Sequence, residues 1–230
     1  MHANTELCFD LIRHGQSVAQ LHPELIGGRT AGAPLTPLGY SQANALGTRL
    51  EKEGVNYELA FSSPFPRAIQ TAMSVCAWLD YYASNIITVN DIIELDQGEW
   101  EGRSRGEVFS ITHAPGLALE VMGTSPWFTP PGGESQKTVQ RRMSEWFEST
   151  FLKNGEYMQS GRQWRFAIFG HGTAFCCFLQ DILEFKSVLI GRGLIIDNCS
   201  LTRLRFNRQG WFVDSINDVG HLVGLENSRY

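Results

Sequence analysis

Leu11-Ile12-Arg13-His14-Gly15 near the amino terminus and Ala167-Ile168-Phe169-Gly170-His171-Gly172 towards the other end are short apolar runs that stop at the same dipeptide, His-Gly. An apolar run of this length closed by glycine reads as a buried strand of an α/β sheet, and such sheets bind ligands beyond the carboxyl ends of their strands. Two imidazoles are thereby set to face each other across one pocket. Arg13 directly precedes the first, and a permanently charged planar guanidinium beside a titratable nitrogen suits phosphate chemistry better than metal binding. A lone histidine at a strand end is more often a hydrogen-bonded structural residue. Two of them, each followed by a glycine that lets backbone approach a ligand closely, reverse that preference.

Working outward, Thr36-Pro37 reads as an N-cap with proline at the first helical position, and a helix runs to about Glu53. Leu38, Ala45, Leu46 and Leu50 form its apolar stripe, and Gly54 closes it. Leu59 to Ser62 is a short strand, and Ser63-Pro64 opens a helix with Ile69, Met73, Cys76 and Leu79 on one face. Arg67 falls in its first turn, where unpaired amide donors and the positive dipole end favour an anion. Ile86 to Val89 is another strand, with Glu94 just beyond it. From about 103 to 134 no clean period survives, and Arg103 to Glu134 reads as a lid-like excursion over the sheet end. A helix follows from Ser135 to Lys153, with Val139, Met143, Phe147 and Phe151 four apart, and another from Thr173 to about Leu183. Leu201 to Phe206 and Trp211 to Ile216 form a hairpin across Asn207-Arg208-Gln209-Gly210. The order predicts an α/β fold: a three-layer α/β/α sandwich with a mostly parallel central sheet and an antiparallel edge, in one domain over 1–230.

Composition narrows the function. With 230 residues, 43% hydrophobic and 19% charged, the chain is long enough for a substantial core. A net charge of −5 argues against nucleic-acid binding, which needs a basic face. No apolar stretch is long enough to span a bilayer, and Met1 to Glu6 lacks the pattern of a secretory signal, so the expected compartment is the cytoplasm with no membrane partner. Five cysteines without a paired C-x-x-C spacing indicate neither a disulfide framework nor a zinc site, and Cys176 and Cys177 read as core. Only Lys52, Lys137, Lys153 and Lys186 are lysines; the remaining basic residues are arginines, suited to bidentate phosphate contacts.

The chemistry those residues suit is phosphoryl transfer, which asks for an in-line nucleophile and positive donors around the equatorial oxygens. Neutral His14 can be the nucleophile, splitting one hard displacement into two through a phosphohistidine. Arg13 and Arg67 are expected to depress its pKa and, with His171 opposite, to hold the phosphate. The leaving alkoxide needs a proton, and no further histidine is placed to supply it. Glu94 is the candidate, since the like charge of a phosphate disfavours ionisation of an adjacent carboxyl group, and it could later deprotonate the attacking water. Asp96, Glu99 and Glu101 lie close by, and most such carboxylates are simply solvated, so spacing alone does not single out Glu94.

Taken together, these residues resemble the histidine phosphatase superfamily, which includes the phosphoglycerate mutases. Leu11 to Ser17 is similar to its arginine-histidine-glycine signature. Ala33-Pro34-Leu35-Thr36 with Gly39, Gln42 and Ala43 resembles a second block, and Phe61 to Pro64 with Arg67-Ala68 and Gln70-Thr71-Ala72 a third. Glu94 to Gly102, Pro131 to Ser135, Gly170-His171-Gly172 and Asn198-Cys199-Ser200 resemble later blocks, all in family order from about Leu11 to Phe206. The resemblance implies His14 as phosphoryl acceptor, Arg13, Arg67 and His171 as the phosphate pocket, and Glu94 as acid and base. It further implies pocket contacts from Gln16, Ser17, Gln20, Gly172 and Thr173, by side chain or backbone amide, and no metal or organic cofactor. One departure stands out: members often carry asparagine six residues after the nucleophile, where this chain has Gln20.

The expected activity is therefore hydrolysis of a phosphomonoester, on a small phosphorylated substrate or a phosphoprotein. Mutase-type transfer is the alternative, but the mutases carry a longer basic insertion after the acid block. Here Glu94 to Glu134 holds only Arg103, Arg105 and His113 as basic residues, beside Trp100, Phe109, Trp127 and Phe128. An aromatic stretch fits a partly apolar monoester better than a small bisphosphate, although such aromatics are more often core. A non-catalytic phospho-ligand binder or scaffold is the other class, and Glu94 discriminates: a phosphate-binding pocket gains nothing from an adjacent carboxylate.

Overall fold

The computed structural model describes residues 1–30, 32–109, 125–184 and 194–225. Strand β1 (Glu6–Arg13) turns Leu7, Phe9 and Leu11 to one face and Ile12 to the other, so it must be covered on both sides. Helix α1 (Pro37–Lys52) begins where expected: Thr36 Oγ1 accepts the Gly39 amide at 3.0 Å, and Pro37 stands at the first position. It is followed by β2 (Leu59–Ser62), α2 (Pro66–Ala77), β3 (Ile87–Thr88) and α3 (Arg105–Val108). The second half supplies α4 (Gln136–Phe147), α5 (Gly155–Met158), β4 (Gln163–Gly170), α6 (Gly172–Ile182) and the hairpin β5 (Leu201–Asn207) and β6 (Gly210–Asp218).

The sheet runs β3-β2-β4-β1-β5-β6. β3, β2, β4 and β1 are parallel, and β5 and β6 complete it antiparallel. One face carries α1 and α2, whose Leu46, Leu50, Ala72 and Val75 pack on Ile12, Ala167 and Phe169. The other carries α4 and α6, with Val139, Met143, Phe147, Phe175 and Phe178 over Leu7, Phe9, Leu11, Phe166 and Ile168. This is the expected three-layer α/β sandwich. Phe147 and Phe178 stack at 4.0 Å, which ties α4 to α6. Burying a side chain of this size stabilises the fold by about 1.5–3 kcal/mol. Among the described residues no helix is long and apolar enough to cross a membrane.

Several elements differ from the sequence reading. Ser63, just past β2, is still tied to β4, its amide bonded to the Phe169 carbonyl at 2.9 Å, so α2 starts at Pro66 instead of at Ser63-Pro64. Its buried face is Ala68, Thr71, Ala72, Val75 and Cys76, while Met73 is 47% exposed. Small residues, with Val75, let this helix sit close to the sheet, and Met73 faces outward. β3 shrinks to two residues because β2 is itself short, although the Val89 amide still reaches the Ser62 carbonyl. The helix expected up to Lys153 is α-helical only to Phe147 and closes in a π turn, Glu148–Leu152, which keeps both Phe147 and Phe151 buried. Of the excursion from 103 to 134, residues 110–124 lie outside the described residues. At its two ends Trp100 stacks on Phe128 at 5.5 Å and meets Phe109 edge-on, whereas Trp127 is exposed.

Candidate active site

β1 and β4 pair in parallel with Arg13 opposite Gly170, and the His14 amide donates to the Gly170 carbonyl at 3.0 Å. The two His-Gly pairs therefore leave adjacent strands at the same level. The rings of His14 and His171 meet edge-on with centroids 5.2 Å apart. Both are buried, and both pKa values fall well below the ordinary histidine value. Burial is the largest cause for each, and the positive charges of Arg67 and Arg13, expected to lower the His14 pKa, act in the same direction after it.

His14 Nδ1 lies 2.7 Å from the Gly15 carbonyl, an acceptor only, so Nδ1 carries the ring proton and Nε2 keeps a lone pair. The loop that holds this ring is pinned at every residue. Thr71 of α2 accepts the Gly15 amide at 3.0 Å, and Gln42 of α1 accepts the Gln16 amide at 2.9 Å. The Thr36 hydroxyl donates to Gln16 Oε1. Asn198 Nδ2 donates to the His14 carbonyl at 3.0 Å and exchanges hydrogen bonds with the Gln20 amide, whose Oε1 also accepts the Ser17 amide. Gln16, Ser17 and Gln20, expected to touch substrate, also take part in the hydrogen bonds that hold the His14 loop.

Arg67 is almost fully buried and Arg13 half-buried; desolvation lowers both pKa values, Arg67 to about 10, and the charge of Glu94 opposes that fall in each. Arg67 reaches from the first turn of α2 to the carbonyls of Gly28 at 3.0 Å and Thr30 at 3.2 Å. Glu101 takes the other side of that loop, accepting the amides of Arg29 at 2.6 Å and Thr30 at 2.9 Å. Gly28, at φ +143°, is required here: a Cβ would come within 2.2 Å of the Glu101 carboxylate. Arg13 donates to the Ile196 carbonyl at 2.5 Å, and its Nε is buried without a partner. Gly172 leaves room for it, since a Cβ there would lie 3.2 Å from that Nε.

The Glu94 carboxylate rests on the amino end of α6. It accepts the amides of Thr173 at 3.2 Å, Ala174 at 3.1 Å and Leu95 at 2.8 Å. Thr173, expected in the pocket by side chain or amide, thus gives its amide to Glu94. Arg142 of α4 fastens the main chain beneath, donating to the carbonyls of Asp91 at 2.6 Å, Ile93 at 2.8 Å and Glu94 at 3.2 Å. Glu134 bridges Arg142 at 2.7 Å and Arg29 at 3.2 Å. Arg142, Arg29, Glu101, Thr71 and Asn198 went unassigned in the sequence reading. Glu101, Thr71 and Asn198 lie within the motif blocks, but nothing local in the sequence marks their roles. Among the described residues no group of three or more His, Cys, Asp or Glu side chains is placed to hold a metal ion.

A buried pair of histidines, two arginines and a carboxylate at the carboxyl edge of a parallel sheet define a class of protein suited to handling phosphoryl groups. The profile of the histidine phosphatase superfamily (branch 1) matches residues 9–219, and the chain belongs to that superfamily. Fructose-2,6-bisphosphatase TIGAR of Xenopus tropicalis is 31% identical over 142 residues, 60% of this chain and 47% of that protein. A 2,3-bisphosphoglycerate-dependent phosphoglycerate mutase of Bartonella henselae is 28% identical over 133 residues, 58% of this chain and 63% of that one. The matches thus span about half to two-thirds of those relatives' lengths. In fold, the chain is similar to mycobacterial glucosyl-3-phosphoglycerate phosphatase in complex with inorganic phosphate, with a TM-score of 0.75 at 21% identity over 94% of this chain and 99% of that one.

Proposed function

We propose that the protein is a phosphatase that hydrolyses a phosphomonoester through a phosphohistidine on His14, acting in the cytoplasm as one domain. The observation that carries this reading is the hydrogen bond from His14 Nδ1 to the Gly15 carbonyl, which leaves Nε2 unprotonated beside Arg13, Arg67 and His171. Nε2 attacks phosphorus as the ester P–O bond breaks, and Glu94 gives a proton to the departing alkoxide. The resulting carboxylate takes a proton from water, which attacks phosphorus and breaks the P–N bond, so orthophosphate leaves and His14 and Glu94 return to their starting states. Arg13 Nε and His171 Nδ1, both buried and without a partner among the described residues, are two donors available for phosphoryl oxygens. The five unpaired thiols support a reducing compartment.

A small phosphorylated substrate is the expected partner, and relatives named as phosphatases support hydrolysis. The mutases among the relatives make retained transfer the competing outcome. The test is incubation with p-nitrophenyl phosphate in the presence of chelator. Turnover that disappears in His14→Ala, with acid-labile phosphate on His14 after rapid quenching, is the expected result. Phosphate binding without turnover would instead identify a binder, and phosphoryl transfer to a second substrate molecule in preference to water a mutase.

A further inference from the structure

Ser63 has no part in the mechanism above, yet its hydroxyl lies 2.8 Å from His171 Nε2 inside the protein, and both residues are fully buried. The direction of that hydrogen bond decides which ring nitrogen of His171 carries the proton. Ser63 Oγ accepts the Phe65 amide at 3.4 Å, as serine does in a turn with the residue two positions on. The neighbouring Ser62 hydroxyl is directed to the Ser63 carbonyl at 2.9 Å and does not compete for the contact. Among the described residues His171 Nε2 is the acceptor left for the Ser63 proton. Burial and the nearby Arg67 keep His171 uncharged, so the ring holds a single proton. With Nε2 accepting, that proton sits on Nδ1, the buried ring nitrogen that has no partner in the protein.

We propose that Ser63 is a positioning residue that locks His171 in its Nδ1–H tautomer, so that the ring offers a fixed hydrogen-bond donor to the phosphoryl group across from His14. The inference rests on the phosphatase reading for its purpose, but the tautomer is a property of the folded chain alone. In the other tautomer Nδ1 would present a lone pair to a phosphoryl oxygen, exchanging an attraction for a repulsion. Without the serine hydroxyl, no other hydrogen bond among the described residues selects between the two forms.

Long-range proton–nitrogen correlation spectra of the nitrogen-15-labelled protein read the tautomer of His171 directly, with His171→Gln used to assign its signals. The wild-type protein is expected to show Nδ1–H, Ser63→Ala a mixture or the opposite form, and Ser63→Thr the wild-type form. In turnover of p-nitrophenyl phosphate, Ser63→Ala should lose roughly tenfold in kcat/KM, the worth of one hydrogen bond, and Ser63→Thr should recover most of it. Inhibition by orthophosphate should weaken in parallel. An Nε2–H ring in the wild-type protein, or an Nδ1–H ring and full kcat/KM in Ser63→Ala, overturns the proposal. If the wild-type protein turned over no monoester, the phosphatase reading would fail while the spectra still judged the tautomer.

Discussion

Gly39→Ala tests how tightly the proposed nucleophile is held. A Cβ on Gly39 would lie 2.1 Å from the Gln16 carbonyl oxygen, and one on Gly15 would lie 2.5 Å from the Gly39 carbonyl oxygen, so α1 and the His14 loop interlock through two glycines. Ordinary contact begins at 3.4 Å, and the obstructing atom is backbone. Relief therefore takes a movement of about 1 Å in the His14–Gln16 loop or in α1, and misplacement on that scale costs a reaction of this kind roughly a hundredfold. Overpacking at such a site costs about 1–3 kcal/mol, or roughly 2–12 °C in Tm for a chain of this size. Calorimetry and steady-state hydrolysis of p-nitrophenyl phosphate measure the two effects on one sample. The reasoning is refuted if a folded Gly39→Ala protein keeps wild-type kcat/KM. In that case the loop has slack that the interlocked glycines deny.

Two further variants probe the surroundings. Arg142→Met removes the bonds to the Asp91, Ile93 and Glu94 carbonyls and should lower kcat about tenfold while costing about 1–3 kcal/mol, read by burst kinetics and urea unfolding; Glu134 keeps Arg29 as a partner, so a collapse of the whole fold would contradict the structure. His221, whose Nε2 donates to the Cys199 carbonyl beneath His14, has its pKa pushed down to about 4, chiefly by burial and then by Arg49. The unfolded chain binds this proton first, so its contribution is complete above the unfolded value of about 6.5 and declines as pH falls towards 4. Relative to His221→Asn, the wild-type protein should lose about 1–2 kcal/mol between pH 7 and pH 5, and parallel curves for the two would rule that linkage out.

What could be read in the sequence was whatever depended on neighbours along the chain. The Thr36-Pro37 cap, the four-residue spacing of Val139, Met143 and Phe147, and the glycine after each strand-end histidine are local signals, and the structure realises each. Apolar spacing alone misplaced part of the α2 face: Cys76 is buried as expected, but Met73 is exposed and the helix meets the sheet on the side of Ala68, Ala72 and Val75. The positions of His14, Arg67 and His171 followed from element ends, so the centre of the site was legible. Its supports were not. Arg142 lies 48 residues from the Glu94 carbonyl it holds, and Asn198 lies 184 residues from that of His14, distances over which no periodicity carries information. Gln20 illustrates the same gap, because only the fold shows that its amide is turned to Asn198.

The pairing of Arg13 with Gly170 has a consequence for how the molecule matures. Side chains on a strand alternate between faces, so a slip of β1 by a single residue against β4 would move one imidazole to the opposite side of the sheet from the other. No half-aligned arrangement exists in which both rings serve one reaction at reduced speed. Refolded material should therefore sort into competent and inert molecules, and the fraction able to release phosphate counts the chains whose central strands found each other correctly.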